Sequence, residues 1–441
     1  MGKGFPPAGV GWYAVILLAC CYAVSYIDRW ILSLLIEPIK ADLGLSDFQI
    51  SLLLGPAFAI FYATMGIPIA WLADRKNRRN IIAIGITLWS LATAAAGLAR
   101  SFADLFITRV LVGVGETALG PSAISMISDM FPRHRRALAI AIYTSGGTFG
   151  SGFGYIIGGQ IVGWAKTAQL GALPIVGQVA PWQLVFMIVG LPGLILTLLV
   201  LTLREPSRKE LAGFQDRRAV SFADTLKYLR NRALVFGGFC AAVSIIAVTA
   251  FVQFWNAVLF ERTWGWDPTT FSLYNGIGIL AVGPAAVYAA GRLAGALTLR
   301  GVEDGAYRIV LAGTLLLVPM GALYPLMPNV WGAYVVLQIQ TIGVAGSAAV
   351  APTALTMIAP GQIRSQTMAL YFMSLSMIGL LLGPTSVAFF TDNVFADEAM
   401  IRYSMAIVTL IFGIPSALAL IALRRPYGRE LRAFMAAADH D

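Results

Sequence analysis

Roughly twelve stretches of about twenty mostly apolar residues follow one another along this chain, parted by short polar connectors. They lie near 13–36, 49–73, 80–99, 103–127, 136–162, 182–203, 233–260, 270–296, 306–326, 330–357, 365–390 and 400–423. A helix of that length crosses the ~30 Å hydrocarbon core of a bilayer, where every backbone N–H and C=O has to be satisfied within its own segment. The spans therefore predict an all-α membrane protein, and 58% hydrophobic against 12% charged residues in a chain of 441 leaves no soluble domain over. The first run is too long for the core of a secretory signal and is interrupted by Asp28-Arg29, so it is read as a retained first helix.

A net charge of +9 would suit a nucleic-acid partner, but the basic residues sit in connectors, as an orientation signal does. Arg75, Lys76, Arg78, Arg79, Arg133, Arg135, Arg136, Arg300, Arg308, Arg364, Arg424 and Arg425 fall in alternate connectors. The opposite ones hold little beyond Lys40, Arg100, Lys166, Arg262 and Arg402. This asymmetry predicts that both termini are cytoplasmic and excludes nucleic acid as a partner. Cys20, Cys21 and Cys240 lie inside apolar runs, His134 in a basic connector and His440 in the tail, so no metal site and no cofactor is expected. No H-E-x-x-H, G-x-S-x-G or Walker loop occurs, and no histidine lies within a span, so the chain is not expected to be an enzyme.

The longest polar stretch, 204–232, divides the chain into an amino-terminal bundle, 1–203, and a carboxy-terminal bundle with its tail, 233–441. Within it, Ser221 to Asp224 has the form of a capping box opening a short amphipathic helix. The halves look like a repeat: Gly115, Pro121 and Ser125-Met126-Ile127 match Gly346, Pro352 and Thr356-Met357-Ile358, and Arg136 with Tyr143 matches Arg364 with Tyr371. Two related six-helix bundles are the plan of an alternating-access transporter, whose site lies near the membrane midplane between the repeats.

The run Ala70-Trp71-Leu72-Ala73-Asp74-Arg75-Lys76-Asn77-Arg78-Arg79 resembles the loop signature of the major facilitator superfamily, with Ala70 and Asn77 in place of its two glycines. Arg109, Gly113-Val114-Gly115-Glu116 and Pro121 resemble the fourth-helix motif. Gly150, Gly154, Gly158 and Gly159 resemble the fifth-helix antiporter motif, although Tyr155 stands where that motif has proline. Tyr26-Ile27-Asp28-Arg29, with Glu116 and Ile127-Ser128-Asp129-Met130-Phe131, is similar to the spinster family. The resemblance implies the superfamily fold, twelve helices in two six-helix bundles, in a monomeric bacterial inner-membrane transporter. It also implies proton coupling and a substrate like the lysophospholipids and sphingolipids linked to spinster proteins. Tyr-x-Asp-Arg occurs in organic-anion:proton symporters of the same superfamily too, so a water-soluble organic anion remains the alternative substrate.

Asp28, Arg29, Arg109 and Glu116 are the ionisable residues well inside the spans. A charge at the bilayer centre costs about 2.5–3.5 kcal/mol, so each is expected to face a cavity or a partner. Desolvation and mutual repulsion help at least one of Asp28 and Glu116 to keep a proton. Asp28 is taken as the main proton site, Glu116 as its coupled neighbour, and Arg109, two turns before Glu116 on the same helix face, as assisting the coupling. Arg29 can grip a phosphate or carboxylate with two prongs and is the first choice for the substrate headgroup. Tyr26, Tyr143, Gln253, Asn256 and Tyr371 are the further candidate substrate contacts, and Asp74, Arg78, Asp129 and Arg136 are expected to form an ion-pair gate at the cytoplasmic ends. The second half, with no buried acidic or basic residue of its own within its spans, offers Phe254, Tyr274, Met373 and Met377. A cavity polar on one side and oily on the other suits a small amphiphile.

Overall fold

The structure, a computed structural model, describes residues 5–73, 75–168, 179–207, 222–360 and 363–438. The described residues are helical and contain no strand. The first half carries α1 (Ala8–Leu34), α2 (Ile36–Leu43), α3 (Asp47–Leu54), α4 (Pro56–Ala73), α5 (Arg78–Ala96), α6 (Phe102–Glu116), α7 (Leu119–Met130), α8 (Arg133–Thr167) and α9 (Pro181–Leu201). After α10 (Phe222–Asn231) come α11 (Phe236–Phe251), α12 (Asn256–Trp264), α13 (Pro268–Leu299), α14 (Gly305–Leu323), α15 (Val330–Met357), α16 (Arg364–Phe389) and α17 (Ile401–Ala438). Eleven spans among the described residues are long and apolar enough to cross a membrane. The remaining predicted span, 136–162, lies within the 35 residues of α8.

Several predicted spans are broken helices, and proline explains the breaks of the first half. α1 stops at Leu34, whose carbonyl would need the N–H that Pro38 lacks. α4 starts at Pro56, a first helical position where the missing N–H costs nothing. The fourth span parts after Glu116, where the Thr117 carbonyl would need the N–H that Pro121 lacks; the Thr117 hydroxyl donates to the Gly113 carbonyl at 2.7 Å. The break sets Glu116 at a helix end inside the membrane.

The chain forms two compact units. One comprises Met1–Asp216 with Phe254–Leu280, the other Arg217–Gln253 with Ala281–Asp441. Residues 254–280 thus cluster with the first half although they follow the linker in sequence. The linker helix α10 exists, while Ser221 of the expected capping box lies outside the described residues, as does the rest of 208–221.

In the first unit α8 lies against α1 at backbone contact. A Cβ on Gly146 would sit 2.5 Å from the Ala19 carbonyl oxygen, one on Gly150 2.5 Å from Ala23 Cα, and one on Gly154 3.2 Å from Ile27 Cα. These glycines recur every fourth residue, the small-residue spacing by which membrane helices approach closely without a hydrophobic drive. The contact fixes the stretch of α1 that carries Tyr26, Asp28 and Arg29. The second unit repeats the device: Cβ atoms on Gly379 and Gly383 of α16 would lie 2.5 and 2.6 Å from Phe251 of α11. Its core gathers Phe239, Tyr307, Leu355 and Tyr427, with the Tyr427 hydroxyl donating to the Ala354 carbonyl at 2.7 Å.

Candidate functional site

Arg29 of α1 reaches Glu116 at the end of α6, donating from Nε at 2.7 Å and Nη2 at 2.5 Å to Oε2. The Glu116 side chain is 1% exposed and that of Arg29 20%, so the pair is largely out of water yet open along the guanidinium. The guanidinium is also boxed by rings, 4.7 Å from the centroid of Phe58, 5.0 Å from Tyr26 and 5.3 Å from Tyr62. Such faces attract a cation and cost it no hydrogen bond. Gly113 makes the box possible, since a Cβ there would meet the Phe58 carbonyl oxygen at 2.7 Å.

Asp28 is buried, and its Oδ1 has no hydrogen-bond partner among the described residues. The charged groups facing it are Glu116, Arg109 and Arg29. Arg109 lies over Phe186, 5.1 Å from the ring centroid, and donates Nη1 to the Asp28 backbone carbonyl at 3.4 Å. Its Nε and Nη2, like Glu116 Oε1, are buried without a partner among the described residues. Two carboxyls and two guanidiniums therefore share one buried pocket in the first unit. Only one of the possible pairs is closed, which leaves Asp28 and Arg109 with bonding capacity in reserve.

The tyrosines fall on both sides of the prediction. Tyr26 belongs to the box and bonds hydroxyl to hydroxyl with Tyr22 at 3.4 Å. Tyr143 is buried, stacked on Tyr22 with centroids 5.2 Å apart, and its hydroxyl has no partner among the described residues. Tyr371, its repeat counterpart, lies in the apolar core of the second unit. Gln253 donates to Gln340 at 3.4 Å in that unit, whereas Asn256 is buried in the first. Phe254, also of the first unit, packs tilted against Trp30 of α1 with ring centroids 4.7 Å apart.

At the base of α5, Arg78 is 1% exposed and donates to Asp129 at 2.6 Å, Ser125 at 2.8 Å and Glu205 at 2.8 Å. It also reaches the Pro206 carbonyl at 3.0 Å. The cluster holds two of the four expected gate residues and adds Glu205, which lies just past α9. Arg136 is half-buried on α8, and Asp74 lies outside the described residues.

Lys40 and Arg262, read from sequence as connector charges, are instead drawn into a buried network. Arg262 of α12 donates to both oxygens of Asp47, at 2.7 and 2.9 Å, and lies 2.6 Å from Glu37; Lys40 bonds the same Asp47. Asp47 opens α3, whose preceding Ser46 and following Gln49 form a reciprocal capping box.

The pattern for the Major Facilitator Superfamily matches residues 18–294, and the chain belongs to that family of membrane transporters. A solved bacterial homologue of the human lysosomal transporter Spinster, inward-facing and unoccupied, superposes with a TM-score of 0.78 at 26% identity. That match covers 98% of this chain and 99% of the homologue. An MFS-type efflux pump of Mycolicibacterium smegmatis is 30% identical over 71% of this chain and 68% of its own length. Protein spinster of Drosophila melanogaster is 26% identical over 57% of this chain, a match that spans 41% of the fly protein. A probable galactarate/D-glucarate transporter of Bacillus subtilis is 27% identical over 59% of this chain and 60% of its own. The protein is thus a multi-pass transporter of the spinster type, a fold that works by alternating access.

Proposed function

We propose that this transporter moves a lysophospholipid or sphingolipid-like amphiphile with proton coupling, both termini lying on the cytoplasmic side. The observation that carries the reading is the closed Arg29–Glu116 pair beside a buried Asp28 whose Oδ1 lacks a partner. A substrate phosphate that competes for Arg29 frees Glu116 in a pocket that disfavours a bare carboxylate, and the freed carboxylate takes up a proton. Proton uptake and headgroup binding are then one exchange of partners. Asp28, facing the same charges, is the main proton site and hands protons to and from Glu116, with Arg109 as the cation that alternates between them. The rings of Tyr26, Phe58 and Tyr62 around Arg29 offer apolar surface beside the headgroup site.

A water-soluble organic anion is the second reading. It is favoured by the sugar-acid transporter among the relatives, because a carboxylate engages a guanidinium with the same two-pronged geometry as a phosphate. The test is uptake of a labelled lysophospholipid into proteoliposomes with and without an imposed pH gradient, for the wild type and for Asp28→Asn. Gradient-stimulated flux that the substitution abolishes is the expected result. No lipid flux, with galactarate flux in its place, moves the substrate to organic anions; lipid flux with unchanged gradient dependence in Asp28→Asn removes the proton role of Asp28.

A further inference from the structure

The second unit has a basic cavity that shares no residue with the cluster around Arg29. It lies between the connector Gly301–Asp304, the first turns of α14 and the last turns of α17, with a volume of about 1220 Å³. Five arginines line it, Arg308, Arg424, Arg425, Arg429 and Arg432, against the two carboxylates of Glu303 and Asp304. Asp304 is already shared, accepting from Arg308 Nε at 2.7 Å and lying 3.7 Å from Arg424 Nε. Arg425, Arg429 and Arg432 make no ion pair or hydrogen bond among the described residues. Five guanidiniums against two carboxylates leave the cavity with an excess of positive charge, and a multivalent or phosphate-bearing anion relieves the repulsion among Arg425, Arg429 and Arg432.

The level of the cavity along the helix identifies the anion. α17 is 38 residues long, hence ~57 Å at ~1.5 Å per residue, far more than the ~30 Å hydrocarbon thickness. Its apolar part, Ile401 to Leu423, already accounts for about 35 Å, so Arg424 and Arg425 stand where that run leaves the hydrocarbon, at the depth of lipid phosphates. Leu311, Ile421 and Leu431 line the same cavity, which therefore offers apolar side chains beside the guanidiniums, as a headgroup and the first methylenes of its acyl chains require. The surplus of arginine on this face of the chain is also the distribution by which the cytoplasmic leaflet is recognised.

We infer that this cavity is a binding site for an anionic phospholipid of the surrounding leaflet, whose phosphodiester is held by Arg425, Arg429 and Arg432. The site sits at the end of α17 and the start of α14, so occupancy ties the last helix of the second unit to the connector that follows α13.

Native mass spectrometry of the full-length protein in detergent, titrated with dioleoyl-phosphatidylglycerol and dioleoyl-phosphatidylcholine, tests the inference. The wild type is expected to prefer the anionic lipid by at least about tenfold, given the contribution of each basic side chain at a charged surface. The variant Arg425→Gln/Arg429→Gln/Arg432→Gln loses that preference, while Arg425→Lys/Arg429→Lys/Arg432→Lys, which keeps the charge, retains most of it and guards against a folding artefact. Equal preference in the wild type and the glutamine variant overturns the site. Displacement of the lipid by sn-glycerol 3-phosphate at equal concentration overturns the lipid assignment, because a site for soluble anions needs no acyl chains.

Discussion

Arg29 donates twice to a single oxygen of Glu116, Oε2, and leaves Oε1 buried without a partner. A pair made this way is closed but not saturated, and the two residues depend on each other unequally. Removing Arg29 strands an almost fully buried carboxylate, for which the loss of a buried partner typically costs about 3–5 kcal/mol. Removing the charge of Glu116 leaves a cation that still has three ring faces and a path to water. Thermal unfolding of the detergent-purified protein, followed by tryptophan fluorescence, should therefore rank Arg29→Ala below Glu116→Gln. The double variant Arg29→Ala/Glu116→Gln should melt above Arg29→Ala alone. Additive losses in the double variant would mean that the pair holds no shared energy.

Asp28 and Glu116 differ in a way that separates their roles. Glu116 is held by Arg29, whereas Asp28 Oδ1 has no hydrogen-bond partner among the described residues and Arg109 bonds the Asp28 backbone carbonyl. Asp28→Asn keeps the shape of the side chain and fixes it in an uncharged form. The expected outcome is that exchange of substrate at equal concentrations across proteoliposomes survives while accumulation driven by a pH gradient disappears. Loss of exchange as well would make Asp28 a structural or substrate-binding residue rather than the coupling site.

The glycines of α8 make a graded series. A Cβ on Gly150 would fall 2.5 Å from the backbone of Ala23, whereas nothing lies within 4 Å of the position on Gly120 in α7. Backbone cannot give way as a flexible side chain does, so Gly150→Ala should destabilise by roughly 1–3 kcal/mol, the usual range for overpacking, and Gly150→Val should not yield folded protein. Gly120→Ala should melt within a degree or so of the wild type, helped by the better helix propensity of alanine. Equal melting temperatures for Gly150→Ala and Gly120→Ala would refute the close approach of α1 and α8.

Much of this arrangement can be read from residue types alone, and the limits are physical. Asp28, Arg29, Arg109 and Glu116 stand out because a charge inside an apolar run has few tolerable places, and all four do meet in one pocket. Phe58 and Tyr62, four residues apart on α4, escape notice because a ring in a membrane helix looks the same whether it faces lipid, a neighbour or a cation. The Arg262–Asp47 network is hidden for the opposite reason: its members flank spans, where solvated charges are the rule, and only the fold reveals that α2, α3 and α12 converge. The repeat misleads at Tyr371. It matches Tyr143 in sequence, but what the repeat preserves is a packed position beside an interior helix, and Tyr371 lies in an apolar core.

Arg78 at the base of α5 is bound by two carboxylates of different exposure, Asp129 at 4% and Glu205 at 23%. The more buried partner is the harder to replace with water. Asp129→Asn should therefore lower the melting temperature more than Glu205→Gln, and the charge-reversed pair Arg78→Glu/Asp129→Arg should recover part of the loss seen in Arg78→Glu alone. If the cluster also gates the cytoplasmic mouth, Asp129→Asn raises the labelling rate of a cysteine placed at Ser125 by a membrane-impermeant maleimide in inside-out vesicles. Unchanged labelling would leave the cluster with a purely structural role.

Arg262 ties α12 to the first-half helices through Asp47 and Glu37, and Asp47 is shared with Lys40. Removing the guanidinium leaves Asp47, fully buried at its side chain, with Lys40 as its remaining basic partner in this network. The effect should therefore fall on docking rather than on the charge of Asp47: α12 loses its ionic tether and keeps its apolar contacts, among them Phe260 packed on Phe271 at 4.8 Å. In a background lacking Cys20, Cys21 and Cys240, the variant Leu259→Cys, whose side-chain position on α12 is fully buried in the folded chain, should react slowly with an impermeant thiol reagent. Adding Arg262→Ala should speed that reaction by about tenfold, the factor that ~1.4 kcal/mol of lost docking energy produces. Arg262→Lys, which keeps the charge but loses the two-pronged grip on Asp47, should fall between the two. Equal rates for all three would mean that the apolar contacts alone hold α12 in place and that the ion network contributes nothing to its docking.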